Sequence, residues 1–196
     1  MGISLSKLLL EVLKKQTIMA YHGSPQKITN FTDEFVGGEG ATDQEGPGIY
    51  FTTNYKEALG YADGGYVYTA KLTPRLLFDE TEDINIEKRL IERLVLMSSN
   101  WKSTGSDWDE NPRVGINMLI DGAYQYNDNE KDVLLQIWIE AYRYDAVNFV
   151  RNCVKLGIDG LIVNREEGIM FDRNGDKHII IYNPNIIGVT EVEKVG

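Results

Sequence analysis

Asn174-Gly175 stands between two extended apolar runs, residues 169–173 and 177–183, and no other short signal restricts the fold of this chain as strongly. Both central residues of a two-residue hairpin turn need positive φ, which Asn and Gly supply most readily. The pair therefore predicts an antiparallel hairpin near the C-terminus, and a purely parallel sheet is excluded. Residues 160–163, Gly160 to Val163, form a further short apolar run just upstream.

The beginning of the chain has the same character. Residues 17–24 read as a strand ending in Gly23-Ser24-Pro25, and residues 48–53 as a second strand entered through Gly46-Pro47-Gly48. A helix follows over 54–63, with Thr53 or Asn54 as its cap, and residues 66–72 alternate like a third strand. Between these ends, residues 86–97, 113–124, 130–142 and 146–156 repeat apolar residues at helical spacing, which predicts a helical insert centred on 80–145. Leu5, Leu8, Leu9, Val12 and Leu13 share one face of a short amphipathic N-terminal helix within residues 1–16. The expected fold class is α+β, with one domain over residues 1–196, a size and a 42% hydrophobic content that suit a single core.

Charge and composition narrow the function. A formal charge of −10 argues against a phosphate-binding surface and makes a basic protein the easier macromolecular partner. The acidic runs at Asp79, Glu80, Glu82, Asp83 and at Asp107, Asp109, Glu110, beside Trp101 and Trp108, are expected to be solvated loops. No apolar run approaches the roughly 18 residues of a membrane span, and no cleavable leader is evident, which predicts a cytoplasmic protein. Met1-Gly2 with Ser6 fits a myristoylation consensus too short to carry weight. With Cys153 alone and two histidines in all, neither a disulfide nor a zinc cluster is expected. Cys153, among Val150, Val154 and Leu156, reads as a small buried hydrophobe.

The polar residues worth singling out are few. His22 stands at a strand end before Gly23, which lets a ligand approach the backbone, and Ser24, a hydrogen-bond donor. Tyr50 faces opposite to Ile49 and Phe51 on its strand, and Tyr61 sits on the helix that follows. Two such tyrosines could sandwich one flat ring. Gly37-Gly38-Glu39-Gly40 lacks the helix and the Lys-Ser/Thr ending of a phosphate-cradling loop.

Three blocks, Tyr21-His22-Gly23-Ser24, Gly48-Ile49-Tyr50-Phe51 with Tyr61, and Leu156-Gly157-Ile158-Asp159-Gly160 followed by residues 179–185, occur in one order across nearly the whole chain. In this the sequence resembles the ADP-ribosyltransferases related to diphtheria toxin and the poly(ADP-ribose) polymerases, and more closely the compact versions of phage and bacterial effectors. The resemblance implies a split, mostly antiparallel sheet, NAD as substrate and no metal. It implies that His22 bonds the adenosine-side ribose, that the Gly23 backbone pairs with the nicotinamide carboxamide with Ser24 in support, and that Tyr50 and Tyr61 hold the ring beside Phe51. Residues 37–40 would then form a loop over the NAD pocket.

The family places a carboxylate or an amide before its closing strand, and here that position holds His178. A neutral imidazole can accept a hydrogen bond from a ribose hydroxyl but lacks the carboxylate's charge, and would be harmful if protonated. Asp176, two residues earlier on the same face, is the expected source of the missing anion, with Glu166 and Glu167 as weaker substitutes. The leading expectation is a mono-ADP-ribosyltransferase acting on a protein, with His22, Tyr50, His178 and Asp176 as its catalytic residues. The alternatives are an NAD glycohydrolase toxin, a binding module that has lost catalysis, and an RNA 2′-phosphotransferase, which the acidic charge disfavours.

Overall fold

The computed structural model describes residues 17–32, 36, 45–104, 112–164 and 176–196. The expected N-terminal helix, the 37–40 loop, the 169–173 strand with its Asn174-Gly175 turn, Glu166, Glu167 and the acidic run at 107–110 lie outside these residues.

Seven strands form one sheet: β1 (Ile18–Ser24), β2 (Ile49–Thr52), β3 (Tyr66–Leu72), β4 (Leu77–Asp79), β5 (Gly160–Asn164), β6 (Lys177–Ile181) and β7 (Ile187–Lys194). Their spatial order is β4-β5-β6-β2-β1-β3-β7. Only the β4–β5 pair is parallel, so the sheet is mixed and mostly antiparallel. The closing strand β6 pairs with β5 on one edge, Gly160 opposite Ile181, and with β2 on the other, Ile49 opposite Ile181. Its antiparallel partners are therefore these two strands.

Helix α1 (Tyr55–Ala62) starts at Asn54, whose side chain accepts from the amides of Lys56 and Glu57, and stops at Asp63 in the left-handed region. It rests on β1 because Gly23 has no side chain: a Cβ there would lie 1.9 Å from the carbonyl oxygen of Ala58 and 2.7 Å from the amide nitrogen of Ala62. Ala58, Ala62 and Val67 form the small core beneath it, with Tyr21 and Tyr55 packed edge to face at 5.5 Å.

The insert contains α2 (Lys88–Met97), α3 (Ser99–Thr104), α4 (Pro112–Tyr126), α5 (Glu130–Tyr142) and α6 (Ala146–Lys155). Buried Leu94, Ile137, Ala141 and Phe149 belong to the main core that this bundle shares with the sheet. Its turns are tied by buried hydrogen bonds, Tyr142 Oη to the Leu94 carbonyl at 2.6 Å and Ser98 Oγ to that of Ala141 at 2.7 Å. Helix α5 lies against β4 and β5, and Phe149 of α6 meets Tyr182 edge-on just past β6. Two members of the first acidic run are not solvated loop residues as expected. Asp79 ends β4 and pairs with Lys177 at 3.4 Å, and Glu80 pairs with Lys131 at 3.2 Å. Cys153 is fully buried, and that burial pushes its thiol pKa up.

Asp159 pins the start of β5. Its carboxylate, completely buried, accepts from the Arg75 guanidinium and backbone amide and from Asn183 Nδ2 at 2.7 to 3.2 Å. Burial alone would raise its pKa, but these donors hold it below the usual carboxylate range. The Gly157–Gly160 block thus has a structural reason: a buried anion joins β5 to the segments before β4 and after β6.

Candidate active site

Strands β1 and β2 pair at Tyr21 and Thr52. Beyond that point, toward Ser24 on one strand and Ile49 on the other, they part, although β1 stays paired with β3 through Ser24 and β2 with β6 through Ile49. The sheet is therefore split where the His22-Gly23-Ser24 end of one strand approaches the Gly48-Ile49-Tyr50 start of the other. Gly48, at φ +152, makes the entry possible: a Cβ there would lie 2.3 Å from Ile180 Cγ2.

His22 reaches across the split. Its Nδ1 lies 2.7 Å from the carbonyl oxygen of Tyr50. A carbonyl only accepts, so Nδ1 carries the hydrogen. Burial lowers the pKa of the ring, with the Tyr50 carbonyl opposing that in part, so the neutral tautomer presents Nε2 as a hydrogen-bond acceptor. Phe31, Phe51 and Tyr68 surround the imidazole with centroid distances of 5.1, 5.5 and 6.0 Å. Phe51 is thus buried against His22 and Phe31. A groove of about 480 Å³ opens beside this aromatic nest, lined by Ile28, Phe31, Thr32, Tyr68, Pro184 and Val192 among others, and neither His22 nor Tyr50 borders it.

Side-chain parity assigns the other residues to the opposite face. Tyr21 pairs with Thr52, so Tyr21, Gly23, Tyr50 and Thr52 share the face covered by α1, and His22 and Phe51 share the reverse. The phenol of Tyr50 donates to the carbonyl of Gly46. Tyr61, in the last turn of α1, is 53% exposed. Ser24 is half-buried, and its Oγ accepts from the Gln26 amide at 3.3 Å.

His178 sits opposite Thr52 on this face. Its Nε2 lies 2.5 Å from Glu57 Oε1 and its Nδ1 3.3 Å from Glu45 Oε2. Glu57 also accepts from Thr52 Oγ1 at 2.6 Å. Burial alone would lower the pKa of His178, but the two carboxylates push it up to about 9. The ring is therefore an imidazolium at neutral pH, where the sequence suggested a neutral one. Asp176, the expected source of the anion, has its Oδ2 accepting from Asn54 Nδ2 at 2.6 Å, which fixes the side chain that caps α1. Glu45 and Glu57 had no signal in the sequence, because neither spacing nor residue type marks a carboxylate brought to a histidine from a loop and a helix.

An α+β chain with a mixed seven-stranded sheet and six helices among the described residues has the composition of an ADP-ribosyltransferase fold. The family described as ADP-ribosyltransferase in polyvalent proteins matches residues 16–189, and the chain belongs to it. ADP-ribosyl transfer is accordingly its general activity, and NAD is the substrate that the family uses. No curated protein and no solved structure gives a significant match. Among the described residues no helix is long and apolar enough to cross a membrane, and no group of three or more His, Cys, Asp or Glu side chains could hold a metal ion.

Proposed function

We propose that the protein is a mono-ADP-ribosyltransferase that breaks the nicotinamide–ribose bond of NAD and passes ADP-ribose to a protein, acting in the cytoplasm as a phage or bacterial effector or toxin. The observation that carries this reading is the split between β1 and β2, bridged by His22 Nδ1 and the Tyr50 carbonyl at 2.7 Å. Strand ends that part leave main-chain groups facing a gap, and a planar carboxamide, with one acceptor and two donor hydrogens, is a natural occupant.

In this reading the Gly23 backbone takes the carboxamide, the Ser24 hydroxyl supports it, and Tyr50 and Tyr61 hold the pyridinium ring. His22 offers Nε2 to a ribose hydroxyl, while Phe51 buttresses the imidazole. Asp176 serves by setting the N-terminus of α1. The formal charge of −10 favours a basic acceptor protein.

Incubation with NAD labelled in the adenylate half, together with candidate extracts, tests the reading. The expected result is nicotinamide release with label retained on protein, sensitive to protease and resistant to nuclease. His22→Ala and Tyr50→Ala are each expected to lower nicotinamide release by about 100-fold, the scale of a lost positioning contact. Free ADP-ribose without labelled protein would replace transfer by NAD hydrolysis. No release at all, with His22→Ala unchanged in NAD binding, would end the enzymatic reading.

A further inference from the structure

Strand β7 ends one side of the sheet and is exposed from Gly188 to Lys194. Its inner edge belongs to β3. The Val195 amide donates to the Gly65 carbonyl at 2.9 Å, and the antiparallel register carries that pattern back through Glu193 and Glu191. The N–H and C=O groups of Val192 and Lys194 therefore point to the outer edge, where no described strand meets them. An open edge of this kind is a template for a further strand.

The two faces of this edge differ. Glu191 and Glu193 pair with Thr69 and Val67 on the face covered by α1, and Tyr55 of that helix donates to Glu193 at 2.7 Å. Lys71, the cation of β3 on the same face, stands opposite Gly188, beyond the register shift. On the reverse face Val192 pairs with Tyr68 and, with Val189, borders the groove of about 480 Å³ that Ile28, Phe31 and Pro184 help to line. Val189 and Val192 are 44% and 46% exposed, apolar surface that a covering side chain would remove from water. The edge is thus acidic on one face and apolar on the other, and a strand that complements it must alternate in the same way.

We propose that the outer edge of β7 docks the acceptor protein, taking as an additional strand an extended segment in which lysine or arginine alternates with apolar residues. This rests on the reading of the protein as a transferase with a protein acceptor. Main-chain hydrogen bonds to Val192 and Lys194 hold the segment, its apolar side chains enter the groove, and its cations lie beside Glu191 and Glu193. A second copy is the poorer guest. Two β7 strands paired antiparallel bring Glu191 and Glu193 of both copies onto one face, where like charges oppose each other, and each copy carries a charge of −10. Because β1 and β7 are each antiparallel to β3, Lys194 lies at the Ser24 end of the sheet, where β1 and β2 part. With strands about 4.8 Å apart, the docked segment lies about 14 Å from β1, a gap that about four or five extended residues cross. The modified side chain should therefore lie just outside the docked segment, on its Lys194 side.

The test uses the whole chain and a fluorescent peptide of about ten residues, a strand's length, that alternates lysine and valine, with affinity read by anisotropy. A peptide of the same composition with its lysines and valines in two blocks should bind at least about tenfold more weakly, and one alternating glutamate and valine should not bind. N-methylation separates strand addition from charge attraction. In an antiparallel guest the valine amides point to β7 and the lysine amides away, so methylated valines should abolish binding and methylated lysines leave it within about threefold. Equal effects of the two overturn the inference. Val192→Pro, which removes an outward N–H from an edge strand, should lower peptide affinity and label on protein by about tenfold each, with NAD affinity unchanged. Should that variant fail to fold, Glu191→Lys decides: weaker peptide binding supports the assignment and unchanged binding overturns it. A wild-type dimer in sedimentation that is lost in Val192→Pro, or undiminished labelling of protein under saturating peptide, also overturns it. No peptide binding by an enzyme that does label protein overturns this inference alone. Peptide bound by a chain that never releases nicotinamide overturns the transferase reading, and the acceptor role of the edge with it.

Discussion

His22 and His178 lie on opposite faces of one sheet, and their surroundings drive the same ring to opposite charge states. His22 is packed among Phe31, Phe51 and Tyr68 with a backbone carbonyl as its polar partner, and burial wins, so it stays neutral. His178 is no less enclosed, yet two carboxylates outweigh burial and make it a cation. Burial alone does not set the charge of a buried imidazole. The charge of what touches it does, and β2 divides the two cases, offering the carbonyl of Tyr50 to one face and the hydroxyl of Thr52 to the other.

The sharpest way to break this contrast is to remove the inner carboxylate. Glu57→Ala should destabilise the fold by about 4 kcal/mol, because it leaves a buried imidazolium half-paired. Thermal unfolding at pH 7 measures this, and a melting point equal to wild type would mean that the cluster contributes nothing to the fold. Next comes pH. The folded pKa of His178 is about 9 against an ordinary value of 6.5, so its stabilisation is complete below pH 6.5 and disappears as pH rises through 9. The loss should be on the order of 3 kcal/mol and should be missing from His178→Gln, as chemical denaturation at pH 6 and pH 9.5 would reveal.

His22 should give the opposite slope. A lowered folded pKa means that its contribution is complete above 6.5 and erodes as pH falls below that value, when the unfolded chain takes up the proton more readily. His22→Phe keeps the ring packing but leaves the Tyr50 carbonyl without its donor, a cost of about 1 kcal/mol. It should also flatten the stability curve between pH 5 and 6.5, and an unaltered curve would count against a neutral His22. The smallest effect is expected from Asp176→Ala, which frees the Asn54 amide at a cost of about 0.5 kcal/mol, visible as a slight drop in melting temperature. A loss of catalysis without that drop would assign Asp176 a direct chemical role.

Local patterns in the chain already marked most of the elements. The alternation over Tyr66–Leu72 and the helical spacing over Glu130–Tyr142 match the structure residue for residue, and Asn54 is the cap of α1. Strands β4 and β7 were not legible. The first has three residues, too few to show a period. The second is an edge strand, exposed along nearly its whole length, so burial imposes no alternation. A register shift opposite Thr69 and Ala70 puts Val189 and Val192 across from Ala70 and Tyr68, three residues apart where a regular strand would have two. The His22 and Tyr50 ends of the split could be read from the sequence, because each lies within a few residues of its own glycine turn. The Glu45–His178–Glu57 cluster could not.

By itself the sequence determined most of the strands and helices, because periodicity, caps and glycine turns act over neighbouring residues. Only the tertiary structure decided that His178 carries a proton, that Asp176 is occupied by Asn54, and that a carboxylate of the loop before β2 faces the Tyr50 side of the split. The partners of His178 lie 121 and 133 residues away along the chain. Protonation answers to charge within a few ångströms, and that distance is not defined until the sheet has brought β6 beside β2 and laid α1 across β1.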